Sequence, residues 1–252
     1  MRLLIVNSNT SAYVTSRVAE AARAVARPDT EIVARNGRFV AHVIGTRTEL
    51  AVAEHATLDL LAQFAEGPER ADAVVIAVSY DVALRAAREM LDVPVVGITE
   101  AALLTACMLG GQIGLVVFGD RVLPLYQELV RSYGLQDRVA GWRVVESNAP
   151  YAAGDQSQAE AMAVAAANAL VRQDGAEVVV LTGAVMAGVP ARLQPQIDVP
   201  VLDGVSCAVR QAELLAAMRP IKPRTGSYAA LPPREMSGVD AALAAQFGRR
   251  SA

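Results

Sequence analysis

The sequence predicts an α/β protein made of two pseudo-symmetric lobes, each a mostly parallel sheet flanked by helices, with an active-site cleft between them. Three observations carry this. Residues 73–78 (AVVIAV) form a continuous apolar run, the pattern of a strand covered on both faces in a parallel sheet. Polar side chains appear only at its carboxyl end, as Ser79, Tyr80 and Asp81, where open α/β sheets hold their ligands. The layout then returns about a hundred residues later, over 176–208, as expected of an internal repeat. Both stretches run through an apolar strand, a polar or small-residue break and a helix. A D-V-P-V strand follows (92–95 and 198–201), then a glycine leading into another helix.

Taken in order, residues 2–6 read as a buried strand. Asn7, Ser8, Asn9, Thr10 and Ser11 follow, before a helical pattern over 12–26. Polar side chains between a strand end and a helix start serve as N-caps. They also stand where free backbone N–H groups and the helix dipole favour an anion, and both roles are open to them. Residues 30–34 predict a second strand. Residues 35–48 are irregular and contain Gly37, Gly45 and Arg47, and 49–64 read as a long helix ended by Gly67 and Pro68. The second half opens with a strand over 112–118, has Gly119, Asp120 and Arg121 at its end, and continues with a helix over 122–133. A short strand over 143–146, a loop over 147–155 and an Ala-rich helix over 156–173 lead into the second copy of the motif. A helix over 206–218 closes the body. Residues 219–233 hold four prolines and read as an extended tail, and 241–247 as a short helix. The expected division is lobe 1 from 1–97 with 206–218, lobe 2 from 98–205, and a C-terminal tail from 219–252.

Composition narrows the chemistry. The chain has 252 residues, 53% hydrophobic and 19% charged, with a net charge of −3, so no electrostatic feature points to nucleic acid or an anionic membrane. The apolar start MRLLIVNSNT has no small-residue cleavage site and reads as neither signal peptide nor anchor. No run approaches the roughly 18 apolar residues of a spanning helix. Cys107 and Cys207 fall inside predicted helices, which is no disulfide framework and fits a reducing cytoplasm. The single lysine, Lys222, lies in the tail, a poor place for the Schiff base of a pyridoxal enzyme. No phosphate-binding glycine loop and no nucleophile elbow are present. His42 and His55 are too far apart in sequence for a helical metal pair. The expectation is chemistry without metal or cofactor, carried by polar groups at strand ends.

Four segments carry a resemblance to a known family. They are Val6-Asn7-Ser8-Asn9-Thr10-Ser11, residues 75–84, Pro94-Val95-Val96-Gly97-Ile98 with Glu100-Ala101-Ala102, and residues 181–188. Together they make the chain resemble the aspartate/glutamate/hydantoin racemase superfamily, its hydantoin racemase branch in particular, over about residues 1–218. The resemblance implies two pseudo-symmetric α/β lobes with the site between them. It also implies cofactor-independent proton transfer at an acidic carbon of a small carboxylate or a cyclic imide or ureide, and a homo-oligomer. In that family one cysteine thiolate removes the proton and a second thiol delivers one from the opposite face. The first falls here on Val78, in Ala77-Val78-Ser79-Tyr80-Asp81, and the second on Gly183, in Thr182-Gly183-Ala184-Val185-Met186-Ala187. Both thiols are therefore replaced. The single protonating cysteine of the related arylmalonate decarboxylases is missing too.

The candidate catalytic residues are then Ser79, Tyr80, Asp81, Thr182 and Gly183. The candidate substrate-binding residues are Asn9, Thr10, Ser11, Arg47, Val78, Gly119, Asp120, Arg121 and Ala184. Asp81 reads either as a base or as the cap of a helix starting at Val82. Asp120 has the same pair of readings, and Tyr80 is an acid or a pocket wall. Arg47 either counters a substrate carboxylate or sits on the surface. Three functions stay open: a racemase or isomerase using non-thiol groups, a decarboxylase or C–N/C–C hydrolase of the same fold, and a small-molecule binding protein without catalysis.

Overall fold

The structure is a computed structural model that describes residues 1–146 and 156–248; the loop expected over 147–155 lies outside them. Its first half runs β1 (Arg2–Asn7), α1 (Ala12–Val25), β2 (Glu31–Asn36), α2 (Arg47–Glu66), β3 (Ala73–Ile76), α3 (Leu84–Met90) and β4 (Val95–Gly97). The second runs α4 (Ile98–Leu109), β5 (Ile113–Phe118), α5 (Leu123–Ser132), β6 (Val139–Val145), α6 (Ser157–Asp174), β7 (Val178–Leu181), α7 (Pro190–Leu193), β8 (Val201–Asp203) and α8 (Gly204–Met218). A short α9 (Ala241–Ala244) lies in the tail.

The strands form two four-stranded sheets, ordered β2-β1-β3-β4 and β6-β5-β7-β8. Every pairing is parallel, so the second sheet repeats the first with each strand number raised by four. The apolar strands alternate between two helical layers. Leu4, Val6, Val74 and Ile76 pack with Leu60, Leu61 and Leu84 of α2 and α3. Leu3, Ile5, Ala73 and Val75 join a second core with Val14 and Val18 of α1 and Ala208 and Val209 of α8. That core continues into the second sheet through Ile113, Leu115 and Val178. Burying each such Leu, Ile or Val contributes about 1.5–3 kcal/mol. Helix α8 packs on β1, β3 and β4, while α4 packs on β5, β7 and β8 and against α8 itself. The last helix of the body thus returns to cover the first sheet.

Several elements depart from their sequence boundaries for identifiable reasons. Helix α2 starts at Arg47, because the Thr46 side chain accepts the Glu49 N–H and caps it there. Helix α3 begins at Leu84, not Val82, since Asp81 and Ala83 take positive φ (48° and 58°) and break the turn. The expected 143–146 strand is β6, which starts four residues earlier, at Val139, and ends one earlier, at Val145, as a half-buried edge strand. A 3₁₀ turn, Asp120–Val122, precedes α5. In the second copy of the motif the helix shrinks to α7 and a 3₁₀ turn, so the pseudo-symmetry is weakest there. Among the described residues no helix is long and apolar enough to cross a membrane.

Candidate active site

In each sheet the chain leaves the central strand toward one edge and later returns on its other side. Crevices between such strands, at their carboxyl ends, are where α/β sheets take ligands. In the first sheet the crevice lies between β1 and β3, at Asn7-Ser8-Asn9 and Ala77-Val78-Ser79. In the second it lies between β5 and β7, at Gly119 and at Thr182-Gly183. A small pocket draws on both. Asn9 and Val14 line it from the β1–α1 side, and Val78, Ser79 and Tyr80 from the end of β3. Ala184 and Val185 come from beyond β7, and His42, Val43 and Ile44 from the connection between β2 and α2.

The polar residues after β1 are mostly tied into one network. Asn7 Nδ2 donates to Asn9 Oδ1 at 2.8 Å and to Thr15 Oγ1 at 3.0 Å. Asn9 Oδ1 also accepts the Ser11 N–H at 2.9 Å. These bonds fix the Asn9 amide and leave its nitrogen as the donor at the pocket. Ser11 caps α1 by accepting the Val14 N–H, which is the capping role read from the sequence. Thr10 instead turns outward to the 40–42 segment: its N–H donates to Ala41 O at 3.3 Å, and its hydroxyl lies 3.2 Å from His42 Nδ1.

At the end of β3, Ser79 and Tyr80 face the pocket, whereas Asp81 does not line it. The Asp81 carboxylate accepts the N–H groups of Thr99 (2.9 Å) and Glu100 (2.7 Å) and the Tyr133 hydroxyl (2.7 Å). It therefore caps α4 across the sheet end, not the local helix, and Gly97 is what lets it approach: a β-carbon there would sit 2.4 Å from the Asp81 carboxyl carbon. Burial pushes the Asp81 carboxyl up to about 7, against the pull of its three donors, and pushes Tyr133 up as well. Ser79 is held through its carbonyl, which accepts the Thr99 hydroxyl at 2.5 Å.

On the opposite side, the Thr182 hydroxyl donates to Val116 O at 2.8 Å and is buried against β5. Gly183 adopts φ +96°, and a β-carbon on it would lie 3.9 Å from Ser79 Oγ. The two replaced positions of the sequence resemblance thus lie on one pocket or at its edge. There is room for a side chain at Gly183, although its backbone is one that only glycine takes without strain. Asp203 repeats the Asp81 arrangement in mirror fashion. It caps its own helix α8 through the Ser206 N–H (2.8 Å) and reaches back to the Gly188 N–H (3.3 Å) beyond β7, and burial raises its carboxyl too.

The remaining candidates lie apart from the pocket lining. Arg47 pairs with Glu128 of α5 at the surface. Asp120 and Arg121 are exposed, and Asp120 makes no side-chain cap. Gly119 takes φ +93° with open space beside it. Cys207 is buried in the core, where burial pushes its thiol up to about 11, and Cys107 is half-buried in α4; both are free. A wider recess near Leu60 and Phe64 contains Arg35 and Arg38, already paired with Glu69 and Asp59. Among the described residues no cluster of three or more His, Cys, Asp or Glu could hold a metal. Val14, His42, Val43, Ile44 and Val185 line the pocket without having been sequence candidates, and His42 is the polar one among them. Its signal was position: a histidine in a glycine-containing connection that leaves the carboxyl end of a strand.

The family model for Asp/Glu/hydantoin racemases matches residues 3–212. The chain belongs to the Asp/Glu/hydantoin racemase family. Among its relatives, the hydantoin racemase of Paenarthrobacter aurescens is 34% identical over 229 residues, covering 90% of this chain and 96% of that one. Allantoin racemase from Pseudomonas fluorescens is 35% identical and superposes with a TM-score of 0.88 over 94% of this chain and 100% of that one. Arylmalonate decarboxylase, 16% identical with a TM-score of 0.60 over 86% and 92% of the two chains, shares the fold of this racemase family.

Proposed function

We propose that the protein is a cofactor-independent isomerase that inverts an acidic carbon of a hydantoin-like cyclic ureide or a small carboxylate, using groups other than thiols. The observation that carries this reading is the composition of the pocket. Donors from the first half and apolar walls from both halves line it, at strand ends, in a chain whose relatives are named for racemising hydantoin and allantoin. Removing a proton beside a carbonyl places negative charge on the carbonyl oxygen, and fixed donors stabilise that charge. The Asn9 amide nitrogen and the Ser79 hydroxyl are the donors assigned here. Val14, Ile44, Val78 and Val185 exclude water around them. Tyr80 is assigned as a proton donor to the opposite face. Neither Cys207, whose thiol is held protonated in the core, nor Cys107 lines the pocket, which favours non-thiol chemistry.

The test is incubation with enantiopure 5-substituted hydantoins, allantoin and amino acids in deuterated water, followed by proton NMR and polarimetry. Exchange of the acidic proton with inversion is the expected result. A product of lower mass would replace this reading with decarboxylation or hydrolysis. Thermal stabilisation by these compounds without any turnover would mark a binding protein. The exposed pair Leu104 and Met108, one turn apart on α4, supports a homo-oligomer, which sedimentation would test.

A further inference from the structure

We infer that His42 is the proton-transferring base of this pocket, a role that rests on the isomerase reading above. Of the described residues lining the pocket, only His42 and Tyr80 bring an imidazole and a phenol; the rest are amide, hydroxyl or apolar, and no carboxylate or arginine lines it. A phenol gives a proton at neutral pH rather than taking one. An imidazole does both, and is the side chain whose chemistry suits reversible transfer there.

The chain goes to some length to place this ring. Thr10, at the end of β1, holds three consecutive residues of the crossing segment. Its hydroxyl donates to Val40 O at 3.5 Å, its N–H donates to Ala41 O, and its hydroxyl oxygen meets His42 Nδ1. The Thr10 hydroxyl engages Nδ1 at 3.2 Å, and Nε2 is the nitrogen assigned here to take the proton. Val40 itself is held at φ +105°, a conformation that β-branched residues avoid and that persists only where the surroundings enforce it. His42 is also exposed, so its proton exchanges with water between turnovers.

The step balances simply. Nε2 takes the proton from the carbon beside the carbonyl. The C–H electron pair becomes the enolate, held by Asn9 and Ser79. Tyr80 delivers its phenolic proton to the opposite face and restores the C–H bond; the imidazolium then returns its proton to water, and the Tyr80 phenolate takes one back from water.

The experiment compares wild type with His42→Gln and His42→Ala in the deuterium-exchange assay. The expected result is a kcat lower by about 10²–10⁴-fold, KM within threefold, an unchanged melting temperature, and loss of the acid limb of the kcat/KM profile. Added imidazole should restore His42→Ala at least tenfold. Turnover of His42→Gln within threefold of wild type would overturn the role of His42 and leave the isomerase reading standing. A loss that imidazole does not restore, with the pH profile unchanged, would reduce His42 to a loop support and equally overturn it. If wild type exchanges no substrate proton, both readings fall together.

Discussion

Tyr133, at the end of α5, donates its phenolic hydrogen bond to Asp81 beyond β3 at 2.7 Å. The bond spans the two halves of the molecule and completes a shell of three donors around a buried carboxylate. Removing one donor leaves that acceptor under-bonded, at a cost of about 1–3 kcal/mol. Tyr133→Phe is therefore expected to lower the urea midpoint correspondingly, while turnover stays within threefold because Asp81 does not line the pocket. An unchanged midpoint would show that the bond contributes nothing.

The same carboxylate gives stability a pH dependence. Its folded value of about 7 lies above its ordinary 3.8, so between those values the folded chain binds the proton more tightly than the unfolded one. This contribution is fully present below about pH 4 and is lost as pH rises through about 7. Asp203, raised by burial in the same direction, adds a slope of the same sign. Asp81→Asn removes the Asp81 share alone. The gap in melting temperature between wild type and Asp81→Asn should thus be larger at pH 5 than at pH 8. A gap independent of pH would refute the assignment.

Ser79 and Thr182 looked equivalent in the sequence but differ in the fold. Ser79 faces the pocket, whereas the Thr182 hydroxyl is spent on Val116 O. Ser79→Ala should lower kcat/KM at least tenfold with no change in melting temperature. Thr182→Val should cost about 1 kcal/mol of stability and leave kcat/KM within threefold. The reverse pattern would move the reacting centre toward β7.

A thiolate is the reactive form of cysteine, and the Cys207 thiol is held up at about 11. Iodoacetamide should therefore leave activity intact at pH 7.5, as should a double Cys107→Ser, Cys207→Ala variant. Inactivation that tracks alkylation would restore thiol chemistry to this protein.

The lone lysine also has an assigned place. Lys222 Nζ donates to the carbonyls of Arg88, Glu89 and Leu91 at 2.7, 2.8 and 2.6 Å, satisfying the open end of α3. Lys222→Ala is expected to destabilise the protein by about 1 kcal/mol and to speed hydrogen exchange around residues 89–91. Exchange unchanged there would mean the tail binds by other contacts.

The parallel sheets were readable because their strands are continuous apolar runs, and the duplication because D-V-P-V occurs twice. Pocket membership was readable only where a residue follows a central strand directly, as Asn9, Ser79 and Ala184 do. Asp81 misled because its partners, Thr99, Glu100 and Tyr133, are distant in sequence; a carboxylate at a strand end looks the same whether it turns to the ligand or to the next helix. Arg47 takes the surface role, one of its two sequence readings; its partner Glu128 lies in the other half, so the sequence alone did not decide between them. His42 was missed because no periodic pattern governs an irregular crossing; tertiary bonds from Thr10 place it. The earlier starts of α2 and β6 reflect capping and an edge position, which hydrophobic runs do not encode.

The return of α8 to the first sheet bears on how the chain is made. A ribosome releases β1, β3 and β4 more than a hundred residues before it releases Ala208 and Val209, which cover one face of that sheet. During that interval the nascent N-terminal half carries an open apolar surface, the condition under which chaperones engage a growing polypeptide. Maturation therefore waits for the end of translation: the first half to be synthesised is the last to be sealed.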